Sequence, residues 1–308
     1  MISSELFERY RQNPIVTANQ VPGAHSIFNS AVIAWNGKYA GVFRVDDETR
    51  NSNLHVGFSN DGIKWTISPH PLNMVDEISG ETKRAAGYDP RITELDDKFY
   101  VTWCCDCFGP TICMAWTDDF ETFHQLDLFL PANRNGVLFP RKINGMYTLL
   151  TRPTDNSMRV NVPFDSIFCL QSPDLKFWGK CRLVMSPRPN VIWEYVKIGA
   201  GPVPIETDDG WLLIYHGVLT SCSGNLYYAG GAILDKGNPW KVLYRSKKYL
   251  MAPSTDYERI GDVPNVIFPV AAVKDGSGLR MYYGGADTCT CMATVELEKL
   301  VSFIKENS

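Results

Sequence analysis

The sequence predicts an all-β protein, a five-bladed β-propeller with short helical pieces at the termini, and three observations lead to this fold. Aspartate followed by an aromatic residue recurs in turn-like segments that end at Trp65, Phe123, Trp178 and Trp240, with steps of 58, 55 and 62 residues. Five further segments begin with a turn and continue as an apolar, β-rich strand. Three or four short strands per period of about 40–60 residues are typical of propeller blades, and a β-sandwich would not explain so long a period.

The elements of the five blades follow one another along the chain. The first strand of each blade is predicted, in order, within FNSAVIAW, YDPRITEL, VLFPRKIN, GPVPIET and VIFPVAAV. The strand that follows it is predicted within NGKYAGVFR, DDKFYVTWC, NGMYTLLTR, DDGWLLIYH and SGLRMYYGG. Helical patterning is nearly absent outside the two ends, so residues 1–308 are expected to form a single propeller domain.

Composition excludes several classes of function. The chain has 308 residues, of which 44% are hydrophobic, and this is ample for one large domain. Its formal charge of −4 gives no basic field for nucleic acid. No apolar run is long enough for a membrane span, and the first residues, MISSELFERYRQNP, lack a signal-peptide pattern. We therefore expect a cytoplasmic protein with neither a nucleic-acid nor a membrane partner.

The cysteines raise the question of a metal site. Nine is an odd number, and the spacing is not that of a disulfide framework, so reduced thiols are expected. Cys104, Cys105, Cys107 and Cys113 cluster, but no C-x-x-C pair faces a second one, and adjacent residues of a strand point to opposite faces. We interpret them as small buried side chains and expect no metal and no organic cofactor.

Polar residues recur at one position of the repeat, five residues after the aromatic that begins the second strand. The pairs are Tyr39 with Arg44, Tyr147 with Arg152, and Trp211 with His216. Because equal offsets in repeated blades mean equivalent places in space, these polar side chains should gather near one mouth of the central channel. Taken singly, such an arginine could instead be a salt-bridged surface group, and His216 a hydrogen-bonded core histidine.

The segment YDPRI places Asp89 and Arg91 on the predicted first strand of the second blade, on either side of Pro90. A proline suits an innermost strand, since the channel edge of that strand needs no ladder donor. The strand would then deliver Asp89 into the channel. The alternative for Asp89 is a residue that only caps a turn before the proline.

Further basic residues surround the same region of the repeat: Arg134, Arg141 and Lys197. Several guanidinium groups that converge in a cleft suit an oxyanion with several oxygens, above all phosphate. Small residues around Lys197, in KIGAG, would allow a close approach of the backbone to a ligand. Arg141 and Lys142 alternate along a strand, so one of them is expected to be only a surface charge. No P-loop and no nucleophile elbow is present.

Several of these motifs together resemble glycoside hydrolase family 130, the β-mannoside phosphorylases. They are YDPRI, LFPRKINGMYTLLTRP, VKIGAGPVPIET, WLLIYHGV and YYGGADT, and the resemblance extends over residues 13 to 295. The stretch from FNSAVIAW to SNDGIKW is similar to the branch that acts on 4-O-β-D-mannosyl-D-glucose. The resemblance implies a five-bladed propeller, in agreement with the repeat count.

The resemblance also implies a reaction: cleavage of a β-mannosidic bond by inorganic phosphate, with inversion, to give α-D-mannose 1-phosphate. A phosphorylase needs a general acid but no base for water, because phosphate is already an anionic nucleophile. By position, Asp89 matches the general acid of the family, which is thought to pass its proton through the mannose 3-hydroxyl. The remaining matches are, for phosphate, Arg134, Arg152, Lys197, His216 and Tyr227 and, for mannose, Asn29, Ser30, Arg44 and Asp287.

Some points stay open at this stage. Tyr228 is adjacent to Tyr227 and could take its role, and Arg91 either orients Asp89 or holds the channel wall. The segment WCCDCFGPT departs from the mannosylglucose branch where the leaving sugar would lie. The expected substrate is 4-O-β-D-mannosyl-D-glucose, with β-1,2-mannobiose and β-1,4-mannooligosaccharides as alternatives. A hydrolase or a non-catalytic sugar-binding propeller are the other classes considered, and a homo-oligomer is expected.

Overall fold

Five sheets surround a central channel among the residues that the structure describes, and this confirms the predicted five-bladed β-propeller. The structure is a computed structural model that describes residues 6–76, 79–154, 165–222 and 224–308. The first strands of the blades contact one another around the axis, and the later strands of each blade lie progressively further out.

Blades 1 and 2 come from the first part of the chain. Blade 1 comprises, from the channel outward, β2 (Ala24–Trp35), β3 (Lys38–Asp47), β4 (Ser52–Ser59) and β5 (Thr66–Ile67). Blade 2 comprises, in the same direction, β8 (Tyr88–Leu95), β9 (Lys98–Cys105), β10 (Thr111–Thr117) and β11 (Phe123–Gln125). Its outer edge is extended by two strands that precede it in the chain, β6 (Asn73–Asp76), which is parallel to β11, and β7 (Thr82–Arg84).

Blades 3 to 5 follow the same plan. Blade 3 comprises β12 (Asn133–Leu138), β13 (Tyr147–Pro153), β14 (Ile167–Ser172) and β15 (Gly179–Met185). Blade 4 comprises β16 (Lys197–Ala200) and β17 (Ile205–Thr207), which both pair with β18 (Gly210–Ser221), then β19 (Gly224–Leu234) and β20 (Val242–Arg245). Blade 5 comprises β21 (Ile267–Asp275), β22 (Gly278–Gly285), β23 (Cys289–Glu296) and, as its outermost strand, β1 (Glu8–Arg9) from the other end of the sequence.

The predicted aspartate turns join the third and fourth strands of their blades. In blade 1 the Asp61 carboxylate accepts hydrogen bonds from the backbone N–H groups of Ile63 and Lys64, both at 2.8 Å. Equivalent turns form at Asp119, Asp174 and Asp235. A carboxylate that binds backbone N–H groups two and three residues ahead reverses the chain locally, and this explains why the residue recurs with the period of the blade.

A bulge interrupts the first strand in three blades at the same place. One extra residue lies on the first strand between Phe28 and Ala31, and the same irregularity recurs in β8 and β12. The residue that opens each bulge has a left-handed backbone, with φ of 47° at Asn29, 54° at Asp89 and 51° at Asn135. Such a bulge redirects the following side chains, and it is here that the channel acquires polar groups.

Helical structure is sparse. A ten-residue helix, α2 (Leu297–Glu306), follows the last strand of the sequence and packs Leu300 and Ile304 against blades 4 and 5. A one-turn helix, α1 (Asp256–Arg259), lies between blades 4 and 5, and short 3-10 turns occur at Ala18–Gln20 and Ile192–Glu194. These internal turns were not predicted from the sequence. No helix of the described residues is long and apolar enough to cross a membrane.

The hydrophobic core is divided among the spaces between neighbouring blades. One cluster joins blades 3 and 4 around Trp211 and Tyr215, and another joins blades 1 and 2 around Trp103 and Phe123. Five of the nine cysteines are buried with free thiols, as expected, and Cys181 and Cys222 are free and exposed. The expectation of wholly reduced cysteines is wrong at one place, because Cys105 and Cys107 form a disulfide in the loop after β9.

Candidate active site

One cavity of about 390 Å³ lies at a mouth of the channel and receives side chains from all five blades. All of the predicted site residues line it except Ser30. Arg44, Arg152 and His216 are among them, each on the second strand of its blade, as their equal offsets required. Cross-strand pairing explains the convergence: Phe28 faces Arg44, Arg134 faces Arg152, and Gly199 faces His216 at the same level of three blades.

Asp89 lines the cavity, and its side chain is about 16% exposed. Its Oδ1 accepts a hydrogen bond from Asn29 Nδ2 at 2.9 Å and one from Arg44 Nη1 at 3.0 Å. Asn29 and Asp89 hold the same bulge position in adjacent blades, so the repeat itself brings the amide to the carboxylate. Asp89 is therefore oriented by two donors and still open to the cavity.

Arg44 also forms hydrogen bonds to a second carboxylate, that of Asp46, which was not predicted from the sequence. Its Nε and Nη2 bond the two oxygens of Asp46 at 2.9 and 3.0 Å, and Ser52 Oγ donates to the same carboxylate at 2.6 Å. Burial disfavours the charge, but Asp89 and Asp46 outweigh it and raise the pKa of Arg44. Asp46 follows Arg44 by two residues, and this i, i+2 spacing on a strand could have revealed it.

Asp287 lies at the edge of the same group, just after β22. Burial raises its pKa to about 7; Arg44 opposes this shift, and the nearby carboxylates Asp89 and Asp46 reinforce it. The side chain still has some access to solvent, but protein groups surround it on most sides. A carboxyl group with this pKa is partly protonated at neutral pH and can donate a hydrogen bond as well as accept one.

The opposite side of the cavity is basic. Arg152 is buried, and its Nη1 lies 2.9 Å from Nε2 of the fully buried His216. Burial, with Arg152 and Lys197 adding to it, lowers the pKa of His216 well below its usual value. The ring is therefore neutral at neutral pH, and its Nε2 accepts the hydrogen bond from Arg152.

Several buried polar atoms on this side have no hydrogen-bond partner among the described residues. The donors are Arg134 Nε, Arg152 Nε and His216 Nδ1, and an amide oxygen, Asn135 Oδ1, lies beside them. Buried donors without partners are rare in folded proteins, and a group of them suits an anion with several oxygens. Asn135 was not predicted, although it holds the bulge position equivalent to Asp89.

The aromatic residues settle the register between two tyrosines. Tyr227 lines the cavity, and the Lys197 Nζ lies 5.4 Å from the centroid of its ring. Tyr228 packs instead against Trp193 and Tyr249 between blades. Phe268, a further residue that was not predicted, stacks on His216 with the ring centroids 4.5 Å apart.

Other residues lie elsewhere than the sequence suggested. The Ser30 hydroxyl is buried and contacts Thr290 Oγ1 at 3.1 Å, beneath the cavity wall. Arg141 is exposed and pairs with Glu206 at 2.7 Å, so it does not belong to the basic group. Lys142 is also a surface charge and pairs with Asp96.

The small residues after Lys197 have a different purpose from the one expected. A Cβ at Gly199 would lie 2.5 Å from His216 Cε1 and 2.9 Å from Arg152 Nη1. The missing side chain therefore makes room for two groups of the protein itself.

A second, larger cavity of about 1190 Å³ lies over blades 1 and 2 and shares four lining residues with the first, which are Arg50, Ser52, Tyr88 and Asp106. Tyr88 donates a hydrogen bond to Asp106 at 2.9 Å at this boundary. The disulfide-bonded Cys105 and Cys107 also line the larger cavity. The described residues contain no group of three or more His, Cys, Asp or Glu side chains that could hold a metal ion.

Comparison with known proteins supports the predicted family. The model of glycoside hydrolase family 130, described as beta-1,4-mannooligosaccharide phosphorylase, matches residues 4–306. A beta-1,4-mannooligosaccharide phosphorylase from Ruminococcus albus is 50% identical over 311 residues, which cover 97% of this chain and 91% of that protein. A 4-O-beta-D-mannosyl-D-glucose phosphorylase from Bacteroides fragilis is 30% identical, over 91% of this chain and 75% of that protein.

A solved structure shares the fold over nearly its full length. The beta-1,2-mannobiose phosphorylase from Listeria innocua, in complex with beta-1,2-mannobiose, superposes with a TM-score of 0.85 and 27% identity. The alignment covers 97% of this chain and 99% of that one.

Proposed function

The chain belongs to glycoside hydrolase family 130 and is a glycoside phosphorylase that transfers a mannosyl group to phosphate, and from this premise we propose that it acts on β-1,4-mannooligosaccharides. One observation carries the choice of substrate: half of its residues are identical to those of the Ruminococcus albus relative, over nearly the whole chain. The large cavity beyond Tyr88 and Asp106 supports it, because a leaving group longer than one sugar needs such space.

The reaction needs a proton donor, and Asp89 is proposed for this role. Its proton passes, through the mannose 3-hydroxyl, to the glycosidic oxygen as the bond to the anomeric carbon breaks. Phosphate attacks that carbon from the opposite face, so the configuration inverts and α-D-mannose 1-phosphate forms. Hydrogen phosphate gives up one proton when the ester forms, and this proton restores the Asp89 acid through solvent.

Phosphate is proposed to bind at the basic side of the cavity. Arg134, Arg152 and Lys197 supply positive charge, and His216 and Tyr227 supply further polar contacts. The donors without hydrogen-bond partners on Arg134, Arg152 and His216 fit its oxygens, although Arg152 Nε also lies 3.8 Å from the Asp165 carboxylate. Fixed donors of this kind act without reorganisation during the reaction. Inorganic phosphate is thus the co-substrate, and no step of this scheme calls for a metal or an organic cofactor.

The mannosyl unit is proposed to lie between the two sides, against Asn29, Arg44 and Asp287. Asp46 holds Arg44 by two hydrogen bonds, and Ser30 acts from below the cavity wall, on the backbone of β2. Cleavage of 4-O-β-D-mannosyl-D-glucose is the second candidate. It is favoured by the Bacteroides fragilis relative, and its linkage is also β-1,4.

Synthesis in reverse tests the proposal and separates the candidates. The protein is mixed with α-D-mannose 1-phosphate and, in parallel, with mannose, β-1,4-mannobiose, glucose or N-acetylglucosamine, and the phosphate released is measured. We expect release with mannose and mannobiose, and β-1,4-linked products. Release with glucose alone would favour the mannosylglucose reaction. Free mannose formed from mannooligosaccharides without phosphate would contradict phosphorolysis.

A further inference from the structure

Arg91 is almost fully buried below the cavity and binds no side-chain carboxylate among the described residues. Its guanidinium donates instead to four backbone carbonyls. Nε bonds Gly201 O at 2.6 Å, Nη1 bonds Asp89 O at 2.8 Å and Pro90 O at 3.2 Å, and Nη2 approaches Ala200 O at 3.4 Å. Each of the three guanidinium nitrogens therefore donates to at least one backbone carbonyl.

These carbonyls belong to blades that are not neighbours. Asp89 and Pro90 lie on β8 of blade 2, whereas Ala200 is the last residue of β16 in blade 4 and Gly201 follows it directly. Blade 3 stands between them, so the side chain of Arg91 reaches across the channel. The strand β8 carries the proposed acid, and β16 begins with Lys197 of the phosphate side. One side chain is thus hydrogen-bonded to the backbone of both strands. These strands carry the proposed acid and a proposed phosphate-binding residue, which act on opposite faces of the same sugar.

Part of the backbone that Arg91 holds is the bulge in β8. Asp89 has a left-handed conformation, with φ of 54°, as do Asn29 and Asn135 at the same bulge position, and the short polar side chains of aspartate and asparagine tolerate it. The hydrogen bond from Arg91 to the Asp89 carbonyl acts on that residue directly. The same conformation forms at Asn29 without an arginine two residues later, since Ala31 holds that position, so Arg91 fixes where the Asp89 backbone lies and does not create its conformation.

The positive charge of Arg91 also indicates a role beyond stabilising the fold. Burial lowers its pKa to about 10, and Asp89 opposes this shift, so the group remains a cation at neutral pH. A buried cation with no carboxylate is costly to the fold. Its positive charge lies below the cavity near His216, whose pKa it helps to lower, and its Cζ is 5.7 Å from the centroid of the Phe268 ring.

We propose that Arg91 is a positioning residue of the reaction, which fixes the Asp89 carboxyl relative to the phosphate-binding strand β16 by holding backbone carbonyls of both. This inference rests on the proposed function. Arg91 touches neither the sugar nor phosphate, and it acts through the backbone of Asp89 on one side and that of β16 on the other.

The test compares two substrates that differ in their need for an acid. β-1,4-Mannobiose needs a proton on its leaving oxygen, whereas 2,4-dinitrophenyl β-D-mannoside releases a phenolate that does not. Arg91→Lys keeps the charge but cannot bond both pairs of carbonyls with the geometry of the fork. We expect kcat on mannobiose to fall by about 100-fold, the cost typical of a misplaced catalytic group. The loss on the dinitrophenyl substrate should be at least ten times smaller.

Two variants serve as references. Asp89→Asn defines the kinetic pattern of a missing acid, which Arg91→Lys should follow in a weaker form. Arg188→Lys is the control for lost carbonyl contacts, since Arg188 donates to Arg245 O at 3.2 Å and to Ser246 O at 2.5 Å, away from the cavity. Unlike Arg91, Arg188 also pairs with a carboxylate, that of Glu194. Arg188→Lys should lower the melting temperature. It should leave the ratio of kcat on β-1,4-mannobiose to kcat on the dinitrophenyl substrate unchanged.

The outcomes separate the inference from the proposed function. Equal losses on both substrates, or no loss on either from folded Arg91→Lys, would overturn the role of Arg91. If Arg91→Lys does not fold, Arg91→Gln, whose amide can reach only one pair of carbonyls, is judged by the same ratio. A wild-type protein that forms no mannose 1-phosphate would instead overturn the proposed function.

Discussion

Asp89 and Asp287 face the same cavity, yet their surroundings differ. Asp89 receives hydrogen bonds from Asn29 and Arg44. Burial, reinforced by the nearby carboxylates, raises the pKa of Asp287 to about 7. A carboxyl group that keeps its proton can bind a sugar hydroxyl as a donor. The two residues can therefore serve different purposes although they are chemically alike.

Replacement of Asp89 by asparagine should remove the proton donor and keep the shape of the side chain. Its Oδ1 can still accept from Asn29 and Arg44, so the fold should be retained. We expect kcat for phosphorolysis of β-1,4-mannobiose to fall by about 10²- to 10⁴-fold, the usual contribution of a general acid. Steady-state release of mannose 1-phosphate measures this, with circular dichroism as the control for folding. A variant of near-normal rate would exclude Asp89 as the acid.

Asp287→Asn should change how stability depends on pH. The native Asp287 holds its proton up to about pH 7, whereas the unfolded chain releases it near the ordinary value of 3.8. Between these values the native state binds more protons, so this residue lowers the stability of the wild type as pH rises from about 4 to 7. The variant lacks this loss. Urea unfolding at several pH values should show its advantage growing across that window and constant above it. An advantage that is independent of pH would contradict the raised pKa.

Among the elements, the bulged first strands explain both what could be predicted and what could not. The turn aspartates and the second strands repeat in register, so the fold and the positions of Arg44, Arg152 and His216 followed from spacing alone. The first strands contain an extra residue, which breaks the two-residue alternation by which inward side chains are recognised. Asn135 was missed for that reason, since it opens the bulge of β12.

The sequence also does not show which of Tyr227 and Tyr228 faces the cavity. Two adjacent tyrosines on β19 point to opposite faces, and only the packing of Tyr228 against Trp193 shows which face meets the cavity. The proposed roles of the residues assigned to phosphate and mannose rest on family motifs, because charge and spacing alone do not show which ligand an arginine binds. Arg141 illustrates the limit: its sequence neighbourhood is basic, but its partner is Glu206 on the surface.

Gly199→Ala should disturb the phosphate side through the close approach of β16 to β18. The added methyl group would collide with His216 and Arg152. Such overpacking typically costs about 1–3 kcal/mol of stability. We expect the KM for phosphate to rise by about tenfold or more, with a smaller change in the KM for mannobiose. Gly179→Ala, on a strand where the new Cβ meets nothing within 4 Å, is the matched control. Similar kinetics for both variants would refute the crowding argument.

The molecule as a whole is closed by a strand from the start of the sequence. β1 pairs with β23 as the outermost strand of blade 5, and Arg9 fastens it. Arg9 Nε and Nη2 bond the carboxylate of the fully buried Glu258 at 2.7 and 3.0 Å, and Nη2 also bonds Ala252 O at 2.8 Å. Closure therefore rests on a buried ion pair as well as on backbone pairing.

Arg9→Ala should weaken the attachment of β1 to blade 5. It would leave the Glu258 carboxylate buried with neutral donors only, such as the hydroxyl of Tyr283 and the backbone N–H of Ser254. The loss of one partner from a buried pair costs about 3 kcal/mol or more. Urea unfolding should show this loss for Arg9→Ala, while Arg11→Ala, at an exposed position nearby, should change little. Equal stability of the two variants would mean that the ion pair does not hold the ring.

The ring closure also sets when the enzyme can begin to work during its own synthesis. Asn13 donates a hydrogen bond to Met292 O, 279 residues further along the chain. At the usual pace of translation, these two residues leave the ribosome roughly 14 to 56 s apart. Every blade contributes to the cavity, and the fifth is translated last. A nascent chain with four finished blades thus has an incomplete cavity and is inactive. It becomes active only when the fifth blade has formed and the N-terminal segment has paired with it.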